Sequence, residues 1–311
     1  MERIIEKFPA PSYRTTFGAA YLGDALNLVK RLPDRSINLI LTSPPFALTR
    51  KKEYGNKSAN EYVRWFLPFT YEFKRVLCDD GSFILDLGGA YLPGAPVKSI
   101  YQYELLISLC KEVGFYLAQE FFHYNPSRLP TPAEWVTVRR IRVKDSVNLV
   151  WWLSPSKMPK ADNRRVLKPY SDSMKSLLKN GYKPRLRPSG HNISEKFMKE
   201  HEGAIPSNVL VLANTESNSN YLRRCKEERI KPHPARYPEG FADFFIKLTT
   251  ERKDIILDPF AGSNTTGYVA EKLGRKWLSF EIEEEYLKGS VFRFEEFDDL
   301  FGRQDFNVKI R

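Results

Sequence analysis

Short apolar runs alternate with amphipathic segments along most of this chain, and that alternation restricts its fold more than any other property of the sequence. The run "INLILTS" at 37–43 is almost continuously apolar, and "SFILDLGG" at 82–89 has the same character. Between them, the stretch 61–81 repeats apolar residues at every third or fourth position, with an interruption near Pro68. Continuous apolar runs are typical of strands buried on both faces, and the longer repeat is typical of helices. The pattern predicts an α/β fold, with a parallel or mixed sheet that helices cover on both faces.

Most of the remaining chain continues this alternation. Strands are predicted at 18–24, 115–124, 146–154 and 276–281, and a strand leads into a loop at 254–266. Helices are predicted at 25–32, 101–114, 240–250, 266–274 and 283–297. A basic stretch separates the two parts of the pattern. The sequence thus predicts one α/β domain with a basic insertion, divided as 1–154, 155–230 and 231–311.

Composition places the chain among globular proteins of reducing compartments. The 311 residues are 42% hydrophobic and 14% aromatic, which suits a folded core. The three cysteines (Cys78, Cys110 and Cys225) are far apart and form no recognisable disulfide framework. No signal peptide or run of membrane-spanning length is evident, and the four histidines lack the spacing of metal ligands. We expect a soluble, cytoplasmic protein without a metal.

The net charge of +11 is concentrated in one stretch of the chain. Residues 157–200 contain twelve Lys or Arg and four acidic residues, so this segment carries +8. A solvated charged surface is the plain interpretation of such a run. However, the cations are interleaved with Tyr170, Tyr182 and several prolines, and a loop-rich basic insertion suits a polyanion better than a solvent-exposed helix does. The stretch is therefore a candidate nucleic-acid-binding region.

The predicted strand at 37–43 ends on Ser43, Pro44, Pro45 and Phe46. Proline fixes φ and lacks an N–H group, and it pushes the preceding residue towards extended conformations. These residues therefore form a stiff, extended peptide whose carbonyl groups have no local helix to bond to. Such a peptide is either a strand end that stops on proline or a rigid cradle that presents hydrogen-bond acceptors and a ring to a flat ligand.

A second motif, "ILDPFAGSNTT", begins at Ile256 and joins a strand to a helix. In a doubly wound sheet, such a small-residue loop lets a ligand approach backbone N–H groups and a helix N-terminus. The motif lacks the Gly-Lys-Ser/Thr end of a phosphate loop and the Gly-x-Gly-x-x-Gly of dinucleotide-binding proteins. Glu281, 23 residues beyond Asp258, ends the next predicted strand, where an acid can bond ribose hydroxyls or simply favour a helix dipole. Together with the loop, it favours a nucleoside-binding site.

These two motifs, in this order, resemble those of the β-group DNA amino-methyltransferases, which use S-adenosylmethionine, and most of all the cytosine-N4 enzymes of restriction–modification systems. The resemblance spans nearly the whole chain through "TSPPFAL", "KKEYGN", "FILDLGGAY", "RPSGH" and "DPFAGSNTT". It implies a doubly wound, mostly parallel α/β sheet of seven strands, the methyltransferase fold in circularly permuted order, with the cofactor strand in the centre beside the catalytic strand. Permutation is tolerated because surface termini can be moved without changing a core. Many members have glycine at the position of Asn264, and asparagine tolerates left-handed φ, so the loop can still form.

The resemblance also implies roles for the Ser-Pro-Pro-Phe peptide. The exocyclic amine of cytosine is a poor nucleophile, and acceptors fixed around its hydrogens favour the pyramidal geometry of the transition state. Ser43 and the carbonyl of Pro44 would be those acceptors, held rigid with Pro45, and Phe46 would stack on the base. Asp86, at the end of the adjacent strand, would bond the Ser43 hydroxyl and take up the proton, or it is only a capped acid at a strand end. The target cytosine would be flipped out of the duplex.

For S-adenosylmethionine, the resemblance implies contacts from several strand ends. Asp24 would bond the adenine amino group, Glu281 the ribose hydroxyls, and His233–Pro238 would close over the methionine end. The complete predicted cofactor set is Asp24, Asp258, Pro259, Phe260, Ala261, Gly262, Ser263, Thr265, Glu281, His233 and Pro234. No metal takes part in this chemistry.

Double-stranded DNA is the expected partner, with 155–230 as the target-recognition region. Arg185 and Arg187 are candidates for base contacts, and Lys175 and Lys179 for phosphate contacts. The resemblance suggests CAGCTG as the site, a cognate restriction endonuclease as a genetic partner, and action as a monomer. Two alternatives stay open. One is adenine-N6 methylation, which usually comes with Asp or Asn in place of the catalytic serine; the other is a catalytically silent nucleic-acid-binding protein of the same fold.

Overall fold

The computed structural model describes residues 2–47, 55–181, 202–214 and 219–297. Within these residues the strands are β1 (Tyr13–Arg14), β2 (Gly18–Leu22), β3 (Ile37–Thr42), β4 (Leu77–Leu87), β5 (Tyr116–Tyr124), β6 (Val147–Ser154), β7 (Val209–Val211), β8 (Ile255–Asp258) and β9 (Lys276–Glu281). The α-helices are α1 (Glu2–Ile5), α2 (Ala25–Val29), α3 (Ala59–Val76), α4 (Tyr101–Lys111), α5 (Asp172–Asn180), α6 (Asn220–Glu227), α7 (Glu239–Thr249), α8 (Thr265–Lys272) and α9 (Glu284–Ser290). Shorter helical turns lie at Glu134–Val138, Asn163–Val166, Val291–Arg293 and Glu295–Phe297.

The strands of the described residues form a single sheet in the order β1-β2-β9-β8-β3-β4-β6-β5-β7. Neighbouring strands from β2 to β4 are parallel, whereas β6 runs antiparallel to both β4 and β5. The strand of the second motif, β8, lies beside β3, which leads into the Ser-Pro-Pro-Phe peptide. The predicted doubly wound, mostly parallel α/β sheet is confirmed. The sheet has nine strands instead of the expected seven because the short strands β1 and β7 extend its two edges.

Alternate side chains of the central strands enter two hydrophobic cores, one on each face of the sheet. Within β3, Ile40 belongs to the core under α2, α3 and α4, while Leu39 and Leu41 belong to the core under α7 and α8. All three side chains are fully buried. Burial on both faces explains why this strand is a continuous apolar run in the sequence.

The junction between α3 and β4 differs from the prediction. The sequence pattern predicts helix as far as residue 81, but α3 ends at Val76, and Leu77 already has an extended backbone and pairs with Ile37 of β3. Pairing with a central strand outweighs the helical pattern of these residues. The predicted interruption at Pro68 is also absent, since Pro68 lies inside a continuous α3.

The last helix and the basic stretch differ from the prediction as well. The helix expected to reach residue 297 ends as α9 at Ser290 and is followed by two 3-10 turns. The predicted insertion, residues 155–230, contains α5, α6 and β7, which the sequence pattern did not indicate. Because β7 pairs with β5 and α6 packs against α9, part of the predicted insertion belongs to the main fold. Among the described helices, none combines the length and apolar character needed to cross a bilayer.

The first part of the basic stretch lies at the edge of the sheet where the parallel strands begin. Because β6 is antiparallel to β4, the chain leaves β6 at that edge, and Lys160 there pairs with Asp254 immediately before β8. Arg165 donates a hydrogen bond to the carbonyl oxygen of Thr250, just beyond the end of α7. Residues 157–165 are thus at the edge opposite to the carboxyl ends of the parallel strands.

Candidate active site

The predicted site residues converge at the carboxyl ends of the parallel strands. Ser43 follows β3 directly, Asp86 lies near the end of the adjacent strand β4, and Glu281 ends β9. Asp24 follows β2, where the backbone N–H of Gly23 donates to the carbonyl oxygen of Glu281. Open α/β sheets bind their ligands in a crevice at this edge. A cavity of about 410 Å³ lies there, a volume suited to a small organic ligand.

Most of the predicted catalytic and cofactor residues line this cavity. They are Asp24, Ser43, Pro44, Pro45, Phe46, Asp86, His233, Pro259, Phe260, Ala261, Gly262, Ser263, Thr265 and Glu281. Two predicted residues do not line it: Asp258, which is buried behind the loop, and Pro234, which lies between two lining residues. The fold therefore brings the two motifs to one cavity, although they are far apart in the sequence.

A hydrogen bond joins the two predicted catalytic side chains. The Ser43 hydroxyl donates to the carboxylate of Asp86 at 3.1 Å, so the predicted contact is confirmed. Asp86 is 3% exposed, and this burial raises the pKa of its carboxyl, while His123, Asn148 and Ser43 oppose the rise. A raised pKa makes a carboxylate a stronger proton acceptor.

The ring of Phe46 lies against the backbone that follows β4. A β-carbon at position 88 would come within 2.5 Å of this ring, so glycine is required there. Gly88 therefore lets the Phe46 ring approach the backbone that follows β4.

Asp258 ties the second motif to the strand that carries Ser43. Its carboxylate accepts hydrogen bonds from the hydroxyls of Thr42 at 2.8 Å, Thr266 at 2.6 Å and Tyr237 at 3.1 Å. Burial raises the pKa of this carboxyl, and these donors oppose the rise. Since Thr42 directly precedes Ser43, the positions of the loop and of the serine depend on one buried carboxylate.

The loop 259–264 turns sharply at two residues with left-handed backbone. Gly262 has a φ of 52°, and a β-carbon there would meet the ring of His233 at 3.0 Å. Asn264 has a φ of 55° and caps α8, since its side chain accepts the N–H of Gly267 at 3.0 Å. The prediction that asparagine supports this conformation is confirmed.

Glu281 closes the loop from the neighbouring strand. Its carboxylate accepts the backbone N–H of Gly262 at 2.7 Å and those of Ile282 and Glu283 at 2.9 Å. The side chain is 8% exposed, and burial raises the pKa of its carboxyl. Glu281 therefore lines the cavity and also accepts N–H groups ahead of α9, and its predicted contact with ribose hydroxyls stays a prediction.

The sequence profile of the N6_N4_Mtase family, a family of DNA methylases, matches residues 37–292. That span includes the Ser-Pro-Pro-Phe peptide, the second motif and every strand from β3 to β9. The chain belongs to this DNA methylase family. The family resemblance inferred from the two motifs is confirmed.

Relatives of this methylase are similar over almost its whole length. It is 51% identical to the type II methyltransferase M.PvuII of Proteus hauseri over 303 residues, which cover 94% of this chain and 90% of that protein. The solved structure of the cytosine-N4-specific PvuII DNA methyltransferase has a TM-score of 0.76 and 45% identity, and the match covers 95% of each chain. The M1.HpyAVI–SAM complex shares the fold, with a TM-score of 0.54 and 18% identity over 89% of this chain and 98% of the other.

Further polar side chains of this methylase line the cavity near Asp86 and were not predicted: His123, Asn125, Arg128 and Asn148. Asn148 donates to the Asp86 carboxylate at 3.3 Å and accepts from the Arg128 guanidinium at 2.9 Å. Nδ1 of His123 is 4.0 Å from the Asp86 carboxylate, and neither ring nitrogen has a hydrogen-bond partner among the described residues. Polar residues at the carboxyl end of a predicted strand were the available signal for His123 and Asn125.

The predicted DNA-binding residues of this methylase lie away from the cavity or outside the described residues. Lys175 and Lys179 are exposed on α5 and do not line the cavity. Arg185 and Arg187 lie outside the described residues. Residues 157–165 are at the opposite edge of the sheet and do not line the cavity either.

Proposed function

We propose that this methylase transfers a methyl group from S-adenosylmethionine to the N4 amine of a cytosine in a specific duplex site, and so protects that site from a cognate restriction endonuclease. The observation that carries the proposal is the hydrogen bond from Ser43 to the buried Asp86 carboxylate, in the wall of a cavity shared with the second motif. The 45% identity to the cytosine-N4-specific PvuII DNA methyltransferase supports cytosine as the target. The palindrome CAGCTG, with its inner cytosine modified, is the proposed site.

The Ser-Pro-Pro-Phe peptide makes the amine of cytosine a better nucleophile. That amine attacks poorly because its lone pair is delocalised into the ring. The Ser43 oxygen and the carbonyl oxygen of Pro44 accept the amine hydrogens and favour the pyramidal geometry in which the lone pair is free. The prolines hold both acceptors in place before the substrate binds. Phe46 stacks on the base, which enters the cavity after it flips out of the duplex.

Asp86 accepts the proton that the amine loses, by way of the Ser43 hydroxyl. The serine proton already points at the carboxylate, so the serine oxygen is free to accept from the amine. Burial raises the pKa of Asp86 and thereby strengthens it as an acceptor. Asn148 donates to the same carboxylate oxygen as Ser43, and Nδ1 of His123 lies 4.0 Å from the carboxylate.

The loop after β8 fits S-adenosylmethionine. The left-handed φ of Gly262 and its lack of a side chain leave backbone groups close to the cavity. Asp24 and Glu281 line the cavity and supply carboxylate oxygens for the amino group and hydroxyls of a nucleoside. Burial lowers the pKa of His233 to about 4, so this imidazole is neutral and does not repel a cation. When bound, S-adenosylmethionine supplies a methyl group on an electrophilic sulfonium.

Asp258 supports the cofactor indirectly. It is 1% exposed and does not line the cavity, but it holds the hydroxyls of Thr42 and Thr266 on either side of the loop. Its contribution to cofactor binding comes through the position of that loop.

We expect Glu281→Gln to weaken S-adenosylmethionine binding by about tenfold, because it removes the charge of a hydrogen-bonded acceptor in the cavity wall. Glu271→Gln is the matched control. Glu271 is 3% exposed and accepts hydrogen bonds from Thr15 and Trp277 away from the cavity. Isothermal titration calorimetry of both variants should show the loss in the first alone. Unchanged affinity in Glu281→Gln would remove this residue from the cofactor site, and equal losses would indicate general destabilisation.

DNA binding should weaken steeply as salt increases. If half of the twelve cations in 157–200 contact phosphates, the slope of log K against log salt is about −5. Lys179→Ala should reduce the magnitude of this slope by about 1 and weaken all sequences alike. Lys160→Ala is the control, because Lys160 pairs with Glu251 and Asp254 at the opposite edge of the sheet. Fluorescence anisotropy over a range of salt concentrations measures both slopes, and identical slopes would contradict a phosphate contact by Lys179.

Protection of plasmid DNA tests the proposed site. DNA incubated with the purified protein and S-adenosylmethionine should resist cleavage at CAGCTG. Methyl incorporation without protection would assign a different site, and no incorporation would favour a silent DNA-binding protein. We further propose that the protein acts as a monomer in the cytoplasm, with the endonuclease as a genetic partner only.

A further inference from the structure

The loop between β5 and β6, residues 125–146, projects from the catalytic edge of the sheet. β5 and β4 are both antiparallel to β6, so β5 ends and β6 begins at that edge. Asn125 and Arg128, in the first part of the loop, line the cavity. Arg128 is joined to Asp86 through the side chain of Asn148. The loop therefore borders the place where the target base reacts.

Hydrogen bonds hold this loop to itself and to the neighbouring chain. The Lys144 ammonium donates to the carbonyl oxygens of Pro126 and Arg128, which joins the two ends of the loop. The Arg142 guanidinium donates to the carbonyl oxygen of Pro96 at 2.7 Å. These hydrogen bonds hold the backbone of the loop in place, so its exposed side chains have a fixed attachment.

The outer surface of the loop is both apolar and positively charged. Four aliphatic side chains are largely exposed: Leu129 at 74%, Val138 at 69%, Ile141 at 60% and Val143 at 84%. The loop contains five Arg or Lys and two acids. Both acids are already engaged, Glu134 by Arg139 and Asp145 by Lys98 and Arg142. Several exposed aliphatic side chains in one loop that borders an active site are typical of a surface that a partner covers.

We propose that this loop is a DNA-contact surface in which Arg140 binds a phosphate beside the target cytosine and Leu129 enters the space that the flipped base leaves in the duplex. The excess of positive charge suits the DNA backbone, and apolar side chains are the usual wedges in unstacked base steps. Arg140 forms no ion pair with any described residue, so its charge is available. Leu129 directly follows Arg128, which lines the cavity. The inference rests on the proposed function, because it takes duplex DNA as the substrate.

A second copy of the chain is a poorer occupant of this surface. The protein carries a net charge of +11, and the loop adds its own positive excess, so two copies would repel each other there. Duplex DNA has the complementary charge and must in any case reach the adjoining cavity. The loop also lies at the catalytic edge, where residues 157–165 of the predicted recognition region do not.

Two arginines with matched backbone geometry test the phosphate contact. Arg140 and Arg35 both have left-handed φ, 54° and 51°, but Arg35 pairs with Asp79 at the opposite edge of the sheet. Arg140→Ala should weaken binding of specific and non-specific duplexes alike, by about tenfold, and lower the magnitude of the salt slope by about 1. Arg35→Ala should change neither quantity. Equal behaviour of the two variants in anisotropy titrations would overturn the phosphate contact.

A fluorescent base analogue at the target position tests the wedge. In duplexes with 2-aminopurine in place of the target cytosine, Leu129→Ala should lower the fluorescence gain on binding by severalfold, because the flipped state loses its support in the duplex. Leu129→Met keeps an apolar side chain of similar size and should keep the gain. An unchanged gain in Leu129→Ala would overturn the wedge.

Neither experiment depends on methyl transfer. Calorimetry with S-adenosylmethionine alone shows whether each variant retains a folded cofactor site. Because DNA affinity and base flipping are read directly, the loop proposal can fail while methylation of cytosine stands, and methylation can fail while the loop still binds DNA.

Discussion

Asp86→Asn should lower the single-turnover rate of methyl transfer by about 10³-fold, within the usual range for loss of a general base. Asparagine keeps the shape of the side chain and can still accept the Ser43 hydroxyl, but it cannot take up the proton of the amine. Affinities for S-adenosylmethionine and DNA should stay close to wild type, because the change affects the transition state. Rapid-quench assays with labelled S-adenosylmethionine and saturating DNA measure the rate, and a loss of less than tenfold would contradict the role of Asp86.

The stability of the same variant separates chemistry from unfolding. Burial raises the folded-state pKa of Asp86 above its unfolded value, which is about 3.9. The stabilising contribution of such a group is complete below the unfolded pKa and is lost as the pH rises through the folded pKa. At neutral pH the ionised carboxylate therefore costs stability, and Asp86→Asn should melt at the wild-type temperature or above it. A clearly lower melting temperature in calorimetry would attribute the lost activity to unfolding.

Ser43→Ala should reduce turnover by about a hundredfold while binding of cofactor and DNA is retained, because it removes an acceptor used mainly in the transition state. Ser154→Ala is the matched control. The Ser154 hydroxyl is buried and donates to the carbonyl oxygen of Gly81 at the opposite edge of the sheet. Steady-state rates with specific duplexes should fall in the first variant and stay near wild type in the second. Near-normal turnover of Ser43→Ala would exclude its catalytic role.

The double variant tests whether these two side chains share one proton path. If Ser43 passes the proton to Asp86, Ser43→Ala combined with Asp86→Asn should be only slightly slower than Asp86→Asn alone. Losses that multiply would show that the two residues act independently.

The main sheet could be predicted because its central strands are buried on both faces. Runs such as 37–43 and 82–89 have no polar face, as an amphipathic helix or a half-exposed strand would have, so they are recognisable as buried strands. The helices between successive runs indicate that these strands are parallel. The edge strands β1 and β7 have two and three residues, too few to produce a pattern. At the junction of α3 and β4, Leu77 suits either element, and only its pairing with β3 decides between them.

The parts of the site that consist of consecutive residues could be predicted from the sequence. The prolines after Ser43 and the small residues around Gly262 show their stiffness and turn geometry in the sequence itself. Asn148 carries no such signal. It joins the site because β6 runs antiparallel beside β4, which places Asn148 next to Asp86.

The position of the basic charge was the least predictable feature. The sequence shows that positive charge is concentrated in 157–200. The edge of the sheet at which this segment begins depends on the direction of β6, which the sequence does not reveal. The loop 125–146 has fewer cations, so its charge does not stand out in the sequence, although the same topology places the loop beside the cavity.

The identity of the methylated nucleoside tests the central claim most directly. DNA that contains CAGCTG is incubated with the purified protein and S-adenosylmethionine bearing a deuterated methyl group, digested to nucleosides, and analysed by liquid chromatography and mass spectrometry. We predict deuterated N4-methyldeoxycytidine as the labelled product, and about a hundredfold less of it from Ser43→Ala in the same time. Label in N6-methyldeoxyadenosine, or in no nucleoside at all, would contradict it.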